Sequence, residues 1–310
     1  MYAHALGRTG LAVSQLGFGA SPLGGEFGAI DEAEGLRAVK HAINRGVTYF
    51  DVAPYYGRTR AEEVLGRALE GQRDGVVLST KVGRYGPREF DFSAARVESS
   101  INESLGRLRT DRLDIAIIHD IEFGSLIQIV DETLPALATA KKAGKVRAIG
   151  VSGLPLAALR RIIESADIDV VLSYCHYHLA DTTLVDALAE TVAELNIGLI
   201  SASPLAMGLL TQAGPPAWHP APDALKQTCR KAAELCARSG VDLATLALRF
   251  AVDAPFVSTT LVGMSSRAEV DRNLDALTQT FDPQLLEKLK QILAPVQGLT
   301  WPSGLPENSA

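Results

Sequence analysis

Eight short apolar runs recur along the 310-residue chain, each followed by a stretch with helical spacing, and that alternation constrains the fold more than any other feature. The runs are Gln15 to Phe18, Thr48 to Asp51, Val76 to Thr80, Ile115 to His119, Val146 to Val151, Val170 to Tyr174, Gly198 to Ala202 and Ser258 to Val262. They are continuously hydrophobic rather than alternating, as strands buried on both faces are. Between them, Asp31 to Asn44, Arg60 to Leu69, Ala94 to Leu108 and Thr183 to Leu195 carry apolar residues three and four apart. Ser93 stands where an N-cap belongs, and Gly46, Gly71 and Gly144 stand where helices should stop. The pattern predicts an α/β fold, a closed (β/α)₈ barrel filling residues 1–310 as one domain. An open doubly wound sheet shares the alternation. Its dinucleotide fingerprint fails here, because Gly17-Phe18-Gly19 is followed by Pro22 where the third glycine belongs.

Three additions to the minimal barrel are expected. A hairpin precedes the first run, and a proline-rich excursion, Gly214 to Pro222, leads into an extra helix over Asp223 to Ser239. A tail from Ala294 to Ala310, holding Trp301, should lie over the barrel mouth. Acidic and basic residues are interspersed with a net charge of -6, so there is no basic stripe for a nucleic acid. Cys175, Cys229 and Cys236 are too few and too scattered for a disulfide framework. The chain lacks both a leader-like N-terminus and an apolar run of about 18 residues. A cytoplasmic protein without membrane contact is expected, as a monomer or weak homo-oligomer.

Four polar residues fall at or just past the C-terminal ends of consecutive predicted strands, the face on which barrel active sites are built. Asp51 ends the second run, Tyr56 follows five residues later, Lys81 ends the third and His119 the fourth. Singly, each has an ordinary reading as a rim or structural residue. Together they suit one chemistry. Moving a hydride to or from a carbon that bears oxygen requires a proton to move on that oxygen, and a tyrosine can carry it if a nearby ammonium favours the phenolate. On this reading Lys81 should hold Tyr56 below the usual tyrosine range near 10. A carboxylate keeps the ammonium in place, and a histidine orients the substrate oxygen.

The pattern Asp-x-Ala-x-x-Tyr-Gly at Asp51 to Gly57, with Lys81 and then His119, resembles the catalytic tetrad of the aldo-keto reductases. The resemblance runs from Leu6-Gly7-Arg8-Thr9-Gly10 through Arg272-Asn273-Leu274. It implies a nicotinamide dinucleotide cofactor and catalytic roles for Asp51, Tyr56, Lys81 and His119. It places Ser152 on the nicotinamide carboxamide, with Gly153 where the family has Asn. Tyr174 replaces the family's Gln, and Ala202 its stacking aromatic. Ser203, Leu205 and Gly208 match the loop that covers the pyrophosphate. After the eighth strand, Gly263-Met264 replaces Lys-Ser, and Glu269 replaces an Arg that faces the 2′-phosphate; Ser265 and Asn273 complete that segment. A carboxylate there repels the 2′-phosphate, so NAD rather than NADP is expected.

Other motifs carry less. Gly150-Val151-Ser152-Gly153-Leu154 lacks the last glycine of a nucleophile elbow. Cys175-His176-Tyr177-His178 places two imidazoles on one side of an extended segment, but no second ligand cluster completes a site and no metal is expected. The segments at Leu172 to Tyr177, Ser201 to Gly208 and Gly214 to Pro220 resemble the branch of the family that oxidises free aldoses at C1 to lactones, typically with NAD. A sugar is therefore the expected small-molecule partner, with Trp218 as a flat apolar surface for its ring beside Tyr56 and His119. An NADP-preferring aldose dehydrogenase, a dinucleotide-binding redox sensor and a reductase of reactive aldehydes stay open as alternatives.

Overall fold

The computed structural model describes residues 2–309. Its eight parallel strands are β1 (Leu16–Gly19), β2 (Tyr49–Asp51), β3 (Val77–Val82), β4 (Leu113–Ile118), β5 (Val146–Gly153), β6 (Val170–Tyr174), β7 (Gly198–Ala202) and β8 (Thr259–Gly263). Each pairs with the next, and β8 returns to β1 from Thr260 opposite Leu16 to Gly263 opposite Gly19, closing the barrel. Helices cover the outside, beginning with Glu32–Asn44, Arg60–Leu69 and Ala94–Arg107. Asp31 caps the first through the amide of Ala33 at 2.9 Å, and Ser93 caps the third through Arg96 at 3.3 Å.

The barrel interior is filled by Tyr49, Val77, Ile115, Ile117, Ala148, Val170, Leu172, Ile200 and Leu261. An antiparallel hairpin, Ala3–Ala5 with Ala12–Ser14, carries Leu6, Leu11 and Val13 into the same cluster and plugs the N-terminal end. Arg73, Arg112 and Arg147 line a cleft beside the plug, paired with Asp114 and Asp74. The C-terminal end is left as the open face. Among the described residues, no helix is long and apolar enough to cross a membrane.

The strands outrun the apolar runs where polar residues end them. β3 continues through Lys81 and Val82, opposite Ile117 and Ile118, and β5 continues through Ser152 and Gly153, opposite Leu172 and Ser173. Ladder bonds depend on the backbone, so a polar side chain at the mouth does not end a strand. The helix expected over Thr183 to Leu195 is a π-helical segment, Val185–Ala189, running into a short α-helix, Glu190–Glu194. A second hairpin, Arg84–Gly86 with Glu89–Phe90, follows β3 and has no counterpart in the sequence reading.

The excursion after β7 leads into the helix Asp223–Arg238, which packs with Pro283–Leu293 and the buried Trp301 in a separate apolar cluster. The tail crosses the open face. Trp301 meets the ring of His219 edge-on at 5.0 Å, and Leu305 N donates to the backbone oxygen of Glu122 at 2.8 Å. The side chain of Asn308 donates to the oxygens of Glu122 and Gly124 at 3.1 and 2.8 Å. Glu122, in the turn after β4, is fully buried beneath the tail. Its Oε1 accepts from Ser303, Leu154 N and Tyr174, while its Oε2 has no partner.

Burial, reinforced by the charge of Asp120, raises the Glu122 carboxyl from 4.5 to about 7. A carboxyl raised in the folded state stabilises the protein below its unfolded value, and that contribution is lost as pH rises through the folded one. The loss is about 3 kcal/mol over the 4.5 to 7 interval. We expect the melting temperature to fall between pH 5 and pH 8 in the parent protein and to fall much less in Glu122→Gln, which keeps the shape without the charge. Parallel melting curves for the two proteins over that range would remove Glu122 as the cause.

Candidate active site

Side chains in a strand alternate between faces, so the residues two beyond the interior layer point into the mouth of the barrel. Asp51 lies two beyond Tyr49, Lys81 two beyond Ser79, and His119 two beyond Ile117. Ser152 and Tyr174 stand in the same relation on β5 and β6. On β7, β8 and β1 the corresponding positions are Ala202, Gly263 and Gly19, so those strands contribute no side chain larger than a methyl group there. One half of the ring carries polar side chains and the other only small residues.

Within the polar half, Lys81 is 1% exposed and all three of its ammonium protons have acceptors. It donates to Asp51 Oδ2, to the backbone oxygen of Val52 at 3.0 Å, and to the Tyr56 hydroxyl at 3.2 Å. Asp51 is held in turn by Ser79, whose hydroxyl donates to Oδ1 at 2.7 Å and lies 2.9 Å from the Tyr49 hydroxyl. Tyr56 reaches this point from a tight loop. Gly57 takes a left-handed φ of 60° and lies so close to Gly24 that a Cβ there would be 2.3 Å from the Gly24 oxygen. Glu26 clamps the same loop, accepting from Gly57 N at 2.7 Å.

Electrostatics separate the roles available to these groups. Burial alone would lower the Lys81 ammonium, but Asp51 and Tyr56 overcome it and hold it above its ordinary value. Burial pushes the Tyr56 hydroxyl up to about 12, against the opposing pull of Lys81. The expectation that Lys81 brings Tyr56 below the usual tyrosine range is thus corrected: loss of water around the phenol outweighs one ammonium that is already shared with Asp51. Burial takes His119 down to about 3, opposed by Asp120 and helped by Lys81 and Arg84. His119 is a neutral imidazole at physiological pH. Its Nδ1 has no partner, and its ring meets Tyr56 edge-on with centroids 5.6 Å apart.

The other residues expected at the site distribute around the same face. The Ser152 hydroxyl donates to Ile118 O at 3.3 Å and accepts from Asp120 N at 3.4 Å. Tyr174 stands in register with Ala202 on the next strand. After β7, Ser203, Ala206, Met207 and Gly208 all take positive φ, a strained stretch that includes the Ser203-Leu205-Gly208 segment. Gly263 ends β8, and Asn273 is buried in the following helix, Arg267–Ala276. Glu269 is committed to the start of that helix: Ser266 and Glu269 form a capping box, and Glu269 Oε2 also accepts from Ser265 N at 2.7 Å. Trp218 is 55% exposed, with its ring against Phe27 and His219. His176 is bonded to Asp181 and Thr183, and His178 accepts from Ala180 N. Among the described residues no three His, Cys, Asp or Glu side chains gather as a metal site.

Three charged residues at the mouth were not singled out from sequence. Arg84 forms an ion pair with Asp120, and Glu122 fills the space at Gly153, where a Cβ would lie 2.7 Å from its unpaired Oε2. The available signal was positional: Asp120 directly follows His119, Glu122 comes two residues later, and an arginine follows Lys81 by three. A nicotinamide dinucleotide fits what is present. Glycine and alanine on β7, β8 and β1 let a flat ring approach the backbone there, and the strained loop after β7 lies at the end of one of those strands. Chemically, the arrangement can hold an oxygen between Tyr56 and a neutral His119 and move a proton on it.

Comparison with known proteins bears on the same point. The profile of the Aldo/keto reductase family matches residues 15–294. L-galactose dehydrogenase of Arabidopsis thaliana is 47% identical, over 98% of each chain. D-arabinose 1-dehydrogenase of Saccharomyces cerevisiae is 32% identical over 95% of each chain. Among solved structures, an aldo-keto reductase from Bacillus halodurans in its holo form superposes with a TM-score of 0.79 at 25% identity, covering 100% of both chains. The chain belongs to the aldo-keto reductase family of oxidoreductases.

Proposed function

We propose that this protein oxidises a free aldose at C1, L-galactose first among them, to the lactone with NAD as hydride acceptor. The observation that carries the reading is Tyr56, its hydroxyl held by a fully bonded buried lysine and facing a neutral His119 at the open end of the barrel. The 47% identity to a plant L-galactose dehydrogenase, and the sugar in the name of the 32% identical yeast relative, support the substrate class.

In this direction Tyr56 as phenolate takes the proton of the anomeric hydroxyl while its C1 hydride departs, and the carbonyl of the lactone forms. The bound dinucleotide supplies the hydride acceptor at its nicotinamide ring. His119 holds the anomeric oxygen in line with Tyr56, and Lys81 stabilises the phenolate against the cost of burial. Because the phenolate is the working form, oxidation accelerates as pH rises. Tyr174, in register with Ala202, is placed to supply the flat surface that Ala202 lacks. Burial of all three cysteines as free thiols accords with a reducing cytoplasm.

The preference for NAD rests on charge placement after β8. The amides of Ser265 and Ser266 at the helix start, which could hold a phosphate, are already bonded to the Glu269 carboxylate. The nearby cation, Arg267, is bonded to Glu34 through its backbone N at 2.9 Å and Nε at 3.1 Å. A 2′-phosphate placed at that helix start would meet the Glu269 carboxylate, with Arg267 already held by Glu34.

Three measurements test these readings. Tyr56→Phe should cut turnover by about 10²-fold or more with cofactor affinity nearly unchanged. Across L-galactose, L-fucose, D-galactose and D-arabinose, L-galactose should give the highest kcat/KM with NAD. Best turnover of D-galactose, or of none of the four, discards the substrate. For the cofactor, kcat/KM with NAD should exceed that with NADP, and Glu269→Gln, which keeps the capping box, should shift the ratio toward NADP by about 1 kcal/mol. Equal efficiency with both dinucleotides in the parent protein would contradict the assignment.

A further inference from the structure

The buried pair of Arg84 and Asp120 has no part in holding Lys81 or Tyr56, yet it sits at the same open end. Asp120 follows His119 directly, is 2% exposed, and takes a left-handed φ of 52°. That conformation costs a non-glycine residue free energy, and such strain concentrates at sites that use it. Arg84 opens the hairpin after β3 and lies flat over the Tyr55 ring at 4.0 Å, with Phe90 and Phe123 at 5.4 and 5.5 Å. Tyr55 in turn meets His119 and Tyr56 edge-on, each at 5.9 Å. The pair is therefore one ring away from the atoms that would react.

Arg84 keeps an unused donor. The Arg84 Nε proton is buried without an acceptor, as is the Nδ1 position of the adjacent His119. A buried ion pair adds little stability over an apolar replacement, so stability alone does not account for this one. A sugar hydroxyl both donates and accepts. A guanidinium only donates and a carboxylate only accepts, so the two side by side can satisfy one hydroxyl in both directions or two vicinal hydroxyls at once.

We infer that Arg84 and Asp120 read the sugar hydroxyl next to the reacting carbon, and that this pair sets the enzyme's preference for aldoses over simple aldehydes. The inference rests on the aldose reading above. Its content is a specificity function for two residues outside the tetrad: Arg84 donates through Nε to the C2 oxygen, and Asp120 accepts from the C2 hydroxyl.

The test compares L-galactose with 2-deoxy-L-galactose as substrates for oxidation, and butanal for reduction, in the parent protein, Arg84→Met and Asp120→Asn. Arg84→Met keeps an apolar stem over Tyr55, and Asp120→Asn keeps the shape of the turn if the first variant does not fold. The parent should favour L-galactose over the 2-deoxy sugar by roughly 10- to 100-fold in kcat/KM, the scale of a hydrogen bond to a charged group. In either variant that ratio should collapse toward one, and the loss on L-galactose should exceed the loss on butanal by at least about tenfold. A parent that treats both sugars alike overturns the inference, as does a variant that keeps the parent's ratio. Equal losses on sugar and butanal assign the pair to the fold or the proton step instead. A parent that oxidises neither sugar removes the aldose reading itself, and the inference falls with it.

Discussion

The interaction on which the open end of this barrel depends is the bond set of one buried ammonium. Lys81 is enclosed by protein, and burying an unpaired charge would cost several kcal/mol. Three acceptors from two elements remove that cost: a carboxylate and a backbone oxygen from the end of β2, and a phenol from the loop beyond it. Each acceptor is itself fixed. Ser79 orients Asp51, Val52 N is held by Ser79 O at 3.1 Å, and the Gly57 turn locks Tyr56 against Gly24. Removing any one of them would leave Lys81 short of a partner in a largely buried cluster, so its members support one another.

The strand period explains why so much of this was legible. Closed parallel barrels bury both faces of their strands, which makes each strand a continuous apolar word, and eight such words were readable with boundaries shifted by a residue or two. Once the strands are placed, alternation decides which residue at each end faces the mouth. Asp51, Lys81 and His119 therefore declared themselves through position as well as type. Tyr56 is different, because it sits in a loop and no period predicts its direction. Its place followed from the family resemblance, and the structure supplies the reason in the left-handed Gly57.

What was not legible depends on contacts distant in sequence or on solvent exclusion. The hairpin at Arg84–Phe90 has only short strands, with a register shift, and too few residues to show a pattern. Glu122 looks like a surface carboxylate beside Phe123. Nothing local tells that residues nearly two hundred positions later, Ser303 to Asn308, will close over it. The Tyr56 pKa was misjudged for a related reason. A pairwise argument from Lys81 is visible in sequence, whereas the depth of burial that opposes it is a property of the finished mouth, tail included.

The distribution of charge around the rim has a consequence for how such a site tolerates change. From β2 to the turn after β4 the mouth concentrates Asp51, Lys81, Arg84, Asp120 and, beneath them, Glu122, while β7, β8 and β1 contribute Ala202, Gly263 and Gly19. Charges packed at this density shift one another, as the opposing effects of Asp120 and Arg84 on His119 illustrate. A substitution on the charged side therefore propagates into the protonation of its neighbours. On the small-residue side a substitution acts through volume alone, since Gly263 already has Pro22 within 2.9 Å of where a Cβ would be. Charge and small volume are thus carried by opposite arcs of one barrel, and substitutions on the two arcs act through different physics.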